Sequence, residues 1–175
     1  MPEFYSRRSI LRKFTALAAC GTPSAAMASD NKRLLIERVE ITVPGLPPAM
    51  DGFRIAQLSD LHLEPFTTVD DILQSVQACN SLKPDMVALT GDFVTHNTRA
   101  APVVAELLAQ LEAPYGVYAS LGNHDFWSGA PEVVKALNER KIPVLRNETR
   151  RIRTDRGTLW LGGLDSVYVN KPDVR

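Results

Sequence analysis

Histidine is scarce in this 175-residue chain: His62, His96 and His124 are the whole set, and none follows residue 124. Cysteine is scarcer still. Cys20 and Cys79 lie far apart, and only Cys79 would remain once an N-terminal leader is removed, which argues against a disulfide in the mature chain. No stretch reaches the roughly 18 consecutive apolar residues of a permanent membrane helix. Neither sign of charge dominates, since 20 Lys and Arg balance 20 Asp and Glu. A nucleic-acid partner, whose phosphates call for a basic face, is therefore not expected. No G-x-G-x-x-G follows the first parallel strand, so a dinucleotide-binding site is poorly supported. Repeats and low-complexity tracts are missing as well. What is left is ordinary globular composition at the length of one domain.

The first residues read as an export signal. Ser6-Arg7-Arg8-Ser9-Ile10-Leu11-Arg12-Lys13 precedes a mildly apolar, Ala-rich stretch that runs to about Ala28. The paired arginines followed by Ile10-Leu11 resemble the twin-arginine motif, and the weak hydrophobicity that follows suits that route. Ala26-Met27-Ala28 offers an A-x-A cleavage site that would leave Ser29 first. Leu17-Ala18-Ala19-Cys20 also resembles a lipoprotein box, with Cys20 acylated, and both processing routes stay open. The expected organisation is a signal peptide over 1–28 and one domain over 29–175. The twin-arginine export machinery is the expected partner, and the periplasm or the outer face of the cytoplasmic membrane the expected location.

Beyond the leader, the pattern alternates between two periods. Arg33 to Val43 reads as a strand carrying Ile36, Val39, Ile41 and Val43, closed by Pro44-Gly45-Leu46-Pro47-Pro48. Phe53 to Leu58 is a second short apolar run. A helix follows from Val69 to about Leu82, with Ile72, Leu73, Val76 and Cys79 on one face and Thr68 with Asp71 as a capping box. Met86 to Leu89 is a buried strand. Val103, Val104, Leu107, Leu108 and Leu111 mark a second helix, Val117 to Leu121 a strand, and Pro131 to Asn138 a third helix. Thr149 to Arg153 and Thr158 to Leu161, joined by Asp155-Arg156-Gly157, make a hairpin. Strands alternating with amphipathic helices predict an α/β fold with a mostly parallel sheet and flanking helices.

In such folds ligands bind beyond the carboxyl edge of the sheet, and three strands end there in polar groups. The first supplies Asp60-Leu61-His62. In an extended chain Asp60 and His62 project together, an oxygen and an imidazole nitrogen suited to a borderline divalent ion. The second supplies Gly91-Asp92, whose carboxylate has two oxygens and can bridge two ions. The third supplies Gly122-Asn123-His124-Asp125, an amide oxygen beside an ionisable ring. Each motif alone is most often a turn or a cap. Three of them at one sheet edge point to a metal site.

Asp60-Leu61-His62, Gly91-Asp92 and Gly122-Asn123-His124-Asp125 together resemble the first three motifs of the calcineurin-like phosphoesterases. The run Asp51-Gly52-Phe53-Arg54-Ile55-Ala56-Gln57-Leu58-Ser59 before them is similar to an exported or membrane-associated bacterial subgroup, related to UDP-2,3-diacylglucosamine hydrolase-like proteins. The resemblance covers essentially everything from Arg33 onward. It implies the N-terminal half of a two-layer α/β/β/α sandwich and a hydrolase of phosphomonoesters or phosphodiesters. Two divalent ions, manganese, iron or zinc, are implied as cofactors. Asp60 and His62 would bind the first ion, Asp92 would bridge both, and Asn123 would bind the second. His124 would be the general acid, with Asp125 orienting its ring. A small or lipid phosphoester is the implied substrate, with peripheral membrane association as a corollary. Pro65-Phe66 and Phe126-Trp127 are the apolar residues nearest the motifs.

The same family carries further histidine ligands downstream, where this sequence has none. Asp165 in Gly162-Gly163-Leu164-Asp165 falls at a Gly-rich acidic strand end, and Ser166 stands where a second acidic residue is common. His96, four residues after Asp92, reads as a solvated loop residue rather than a ligand. The expectation is a C-terminally truncated chain with weak or no activity, the alternative being an exported, catalytically dead remnant with a binding or structural role.

Overall fold

The computed structural model describes residues 34–169, so the leader with Arg7-Arg8, Ala28 and Cys20 lies outside the described residues. Their core is an α/β layer in which β1 (Ile55–Leu58), β2 (Met86–Leu89) and β3 (Val117–Ala119) form a parallel sheet in that order. Ile55 pairs with Met86 and Leu58 with Leu89, while Leu89 faces Ala119 on the other side. β2 is the central strand, and Met86, Val87 and Leu89 are all buried. A strand covered on both faces has no polar side to show, which is why Met-Val-Ala-Leu reads as a continuous apolar run.

Helices α1 (Val69–Ser81), α2 (Ala101–Leu108) and α3 (Asn123–Glu139) pack in succession, α2 touching both others. The start of α1 is set by Thr68. Its hydroxyl oxygen accepts the Asp71 N–H at 3.2 Å, and Asp71 Oδ2 accepts the Thr68 N–H at 2.9 Å. Ile72, Val76 and Cys79 then face the core, where burial pushes the Cys79 thiol pKa up. In α2 the periodicity is shifted from expectation. Ala101, Val104, Ala105, Leu107 and Leu108 are buried, but Val103 is 44% exposed and lines a surface cleft.

Helix α3 begins earlier than its apolar period predicts. The expected start at Pro131 is only its second segment: Gly129, at φ 141°, interrupts the helix, and Pro131 follows at a point where a missing N–H is tolerated. The first segment starts at Asn123 itself, because Asp125 Oδ2 accepts the Gly122 N–H at 3.0 Å and closes the turn. The hairpin is present as β4 (Glu148–Arg153) and β5 (Thr158–Gly163), antiparallel, with Thr154 Oγ1 accepting the N–H groups of Arg156 and Gly157 in the turn. The ion pair of Arg156 with Asp85, at 3.8 Å, holds the hairpin turn to the approach of β2.

The strand expected over Arg33 to Val43 does not form in residues 34–43. Ile36, Val39, Ile41 and Val43 stay 45%, 76%, 75% and 50% exposed. Alternation supplies a face, but a strand also needs a ladder, and none of the described strands pairs with this segment. No helix among the described residues is long and apolar enough to cross a membrane.

The Thr68 cap offers a direct check on the fold. Thr68→Ala removes one half of a reciprocal pair at the start of α1 and is expected to cost about 1 kcal/mol of stability, read from the urea midpoint.

Candidate metal centre

The ends of β1 and β2 are drawn together by backbone, and those of β2 and β3 by carboxylates that accept main-chain N–H groups. The ladder continues past β1 as Asp60 N–H donates to the Gly91 carbonyl, His62 N–H to that of Asp92, and Leu63 N–H to that of Phe93, at 3.0, 2.9 and 3.1 Å. This stretch is not the extended chain expected from the sequence. Asp60 and His62 have φ of 55° and 43°, and Asp92 has φ of 55°. Left-handed conformations are uncommon outside glycine, though Asp and His accept them more readily than most. Leu61, between the two, is buried at 8% exposure. Three strained residues at one sheet edge are the kind of outlier that clusters at functional sites.

Two glycines allow the close approach. A Cβ on Gly91 would lie 2.1 Å from the Gly122 nitrogen, and one on Gly122 would lie 2.1 Å from Asp92 Oδ1. No larger residue fits either place.

With the strand ends pressed together, the polar side chains converge. His62, Asp92 and His124 present donor atoms that all lie within 4.8 Å of one another. His62 Nε2 is 3.6 Å from Asp92 Oδ2 and 3.9 Å from Asp60 Oδ1. Those separations are long for hydrogen bonds. Two donors each about 2.1 Å from one ion, at a tetrahedral angle, lie roughly 3.4 Å apart, so the spacing fits a cation between them. Asp92 Oδ1 is occupied separately, accepting the His124 N–H at 2.8 Å, which leaves Oδ2 directed at His62. The donor set of imidazole and carboxylates suits manganese, iron or zinc. Asp60 is the most exposed member, with its side chain at 66%. Asn123 is the first residue of α3, directly before His124.

The role expected for Asp125 is not the one its geometry serves. Its carboxylate is wholly buried and accepts four backbone N–H groups: Asp92 at 2.8 Å and Gly122 at 3.0 Å on Oδ2, Phe93 at 2.9 Å and Val94 at 3.3 Å on Oδ1. Both oxygens are spent on the main chain rather than on the His124 ring. Burial pushes the Asp125 carboxyl pKa up, and the four amides pull against that shift. The His124 ring is held elsewhere, with Nδ1 3.1 Å from the Thr95 carbonyl oxygen. That carbonyl can only accept, so Nδ1 carries the proton and Nε2 is the atom left for chemistry.

Thr95 escapes a motif reading. It is 2% exposed, and its Oγ1 lies 3.3 Å from His62 Nδ1. A polar residue closing the buried run Phe93-Val94 is the one signal in the sequence that could have marked it. His96 stays exposed, as expected, with its ring centroid 6.0 Å from that of His124. Asp165 is a clamp: it is 4% exposed and takes a bidentate pair from Arg146 at 3.1 and 2.9 Å.

The aromatic residues near the motifs divide in two. Phe66 and Trp127 are 61% and 62% exposed and stand edge-on to His62 and His124, at 6.1 and 4.9 Å between centroids. Phe126 packs against the core, under the Arg146 guanidinium at 4.9 Å.

Asp125→Asn tests the buried carboxylate. Whichever way the amide turns, its NH2 faces two backbone donors, and a loss of about 3 kcal/mol in denaturant unfolding is expected.

The model of the calcineurin-like phosphoesterase family matches residues 53–167. An uncharacterized metallophosphoesterase of Bacillus subtilis is 30% identical over 178 aligned residues, which cover 96% of this chain and 62% of that protein. An uncharacterized metallophosphoesterase of Aquifex aeolicus is 32% identical, over 75% of this chain and 49% of its own length. The UDP-2,3-diacylglucosamine pyrophosphatase LpxG of Chlamydia trachomatis is 35% identical over 118 residues, 62% of this chain and 36% of the relative. The chain thus spans less than two thirds of each of these relatives. No solved structure matches it. A family match across most of the described residues, over strand ends that hold a metal-type donor set, makes the chain a member of the calcineurin-like phosphoesterase family.

Proposed function

We propose that this protein hydrolyses phosphate esters with the help of divalent metal held at the β1, β2 and β3 ends. The observation that carries the proposal is the cluster of His62 Nε2 with Asp92 Oδ2 and Asp60 Oδ1, at 3.6 and 3.9 Å. His62, Asp92 and Asp60 would hold the ion, and Asp92 and Asn123 would serve a second one. Bound metal supplies a Lewis acid for the phosphoryl oxygens and lowers the pKa of water from about 15.7 towards 7. The chain's own part is orientation and proton supply. Asp92 is aimed by the His124 N–H on its Oδ1. His124, with its Nδ1–H held by the Thr95 carbonyl, would as the imidazolium give its Nε2 proton to the leaving oxygen and be left as the neutral Nδ1–H ring.

The reading of the substrate as an amphiphilic phosphoester, such as a lipid-linked pyrophosphate, is supported by a cleft beside the centre. It has a volume of about 650 Å³ and is lined by Leu63, Pro65, Val69, Val103, His96 and Arg99 among others. Leu63 follows His62 directly, and His96 bridges from the cleft towards His124. Apolar walls with one guanidinium, one imidazole and the carboxylate of Glu64 suit a molecule with an acyl or similar apolar part and a polar head. The LpxG relatives, named for a diacylated nucleotide sugar, agree with this class. Arg7-Arg8 and the Ala-rich stretch after them support twin-arginine export to the periplasm or the outer face of the cytoplasmic membrane, where a peripheral enzyme would meet such lipids.

Calorimetric titration of the chain with Mn²⁺ should show binding that Asp92→Asn weakens about 100-fold, and an unchanged isotherm would sink the metal reading. Turnover of bis-p-nitrophenyl phosphate is expected to be weak and to vanish in His124→Gln, because only His62 and His124 among the described histidines face the cluster. For the cleft, Val103→Asp should weaken binding of dihexanoyl phosphatidic acid to the Mn²⁺-loaded chain about tenfold while leaving inorganic phosphate unaffected.

A further inference from the structure

Both histidines of the centre lean on one residue through two chemically different groups. Thr95 follows Phe93 and Val94, which are 1% and 0% exposed, and Val94 bridges to Leu63 directly after His62. That places Thr95 behind both rings. Its side-chain Oγ1 is 3.3 Å from His62 Nδ1, and its main-chain carbonyl oxygen is 3.1 Å from His124 Nδ1.

The two contacts act on the rings by different means. The carbonyl accepts only, so it forces the Nδ1–H tautomer on His124. The hydroxyl can accept or donate, and the other side of the His62 ring decides which. There Nε2 faces the carboxylates of Asp92 and Asp60 at 3.6 and 3.9 Å, the place of the proposed ion. A ligand nitrogen must present its lone pair, so the proton sits on Nδ1 and Thr95 Oγ1 accepts it.

We propose that Thr95 is the positioning residue for both imidazoles, its carbonyl fixing His124 as the Nδ1–H tautomer and its hydroxyl holding the His62 ring with Nε2 turned to the metal centre. The proposal rests on the metal-site reading above. Thr95 touches neither ion nor substrate and acts through His62 and His124. A ring hydrogen-bonded on its far side keeps its orientation without a bound ion, so less ordering remains to be done when the ion arrives.

Because one contact is side chain and the other main chain, substitution separates them. Thr95→Val removes only the His62 bond, Thr95→Ser keeps both, and neither touches the carbonyl that holds His124. In the full chain, calorimetric titration with Mn²⁺ should show affinity about 10–100-fold lower in Thr95→Val and within about threefold of wild type in Thr95→Ser. Imidazole ¹⁵N shifts of the metal-free wild type at alkaline pH should report the Nδ1–H tautomer for His124, and Thr95→Val should leave that signature unchanged. Wild-type binding with equal affinity in Thr95→Val overturns the proposal and leaves the metal site standing. An Nε2–H signature for His124 in the wild type overturns it even if the valine variant fails to fold. No Mn²⁺ binding by the wild type removes the metal reading, and this proposal with it.

Discussion

One carboxylate joins the pieces that make this site. Asp125, wholly buried at the start of α3, accepts the amides of Asp92, Phe93, Val94 and Gly122, and so ties the exit of β2 to the exit of β3. A carboxylate without water is tolerable only when its oxygens are hydrogen-bonded, and here four main-chain donors replace the solvent. In return those amides need an acceptor, because they leave the parallel ladder at a point where no further strand continues. The Asp92 carboxylate reciprocates by accepting the His124 N–H, so the two loops are stitched in both directions. Gly91 and Gly122 are the steric condition for this contact, since either Cβ would overlap the opposite loop.

From that junction the chemistry follows with little freedom. Asp92 is left one oxygen for outside use, and it points at His62. The His62 and His124 rings stand nearly perpendicular, 4.8 Å apart, each tied at Nδ1 to Thr95. Pre-set polar groups act on charge without having to reorganise as it develops, which is how such sites lower a barrier. The left-handed backbone at Asp60, His62 and Asp92 is the local conformational penalty of this arrangement, offset by the packing of Phe93, Val94 and Leu63 beneath it. The family match spans both the junction and the layer that supports it.

The surroundings extend the same logic outward. Phe66 and Trp127 remain exposed at the rim, edge-on to the two histidines, while their neighbour Phe126 turns inward under Arg146. Arg146 in turn satisfies Asp165, so the acidic strand end of the hairpin is neutralised within the fold and is not a spare ligand. Beyond Leu63 the surface opens into the cleft of Arg99, His96 and Val103.

Period and punctuation alone determined a good part of this molecule. Thr68 with Asp71 marked the start of α1, Met86 to Leu89 read as a buried strand, and the hairpin turn at Asp155-Arg156-Gly157 was visible as turn chemistry. These are local properties, set by propensity, capping and alternation within a few residues. The polar residues that meet at the sheet edge, Asp60, His62, Asp92 and His124, were likewise marked by their place after each apolar run. Tertiary structure decided what local pattern cannot encode. The segment 34–43 has the alternation of a strand yet lacks a ladder, because pairing is a property of two segments and not of one. Asp125, adjacent to His124 in sequence, serves distant amides instead, and Thr95, silent in every motif, holds both rings. Sequence names the donors and acceptors, but which of them meet is settled only when the chain ends of three strands are packed within a few ångströms.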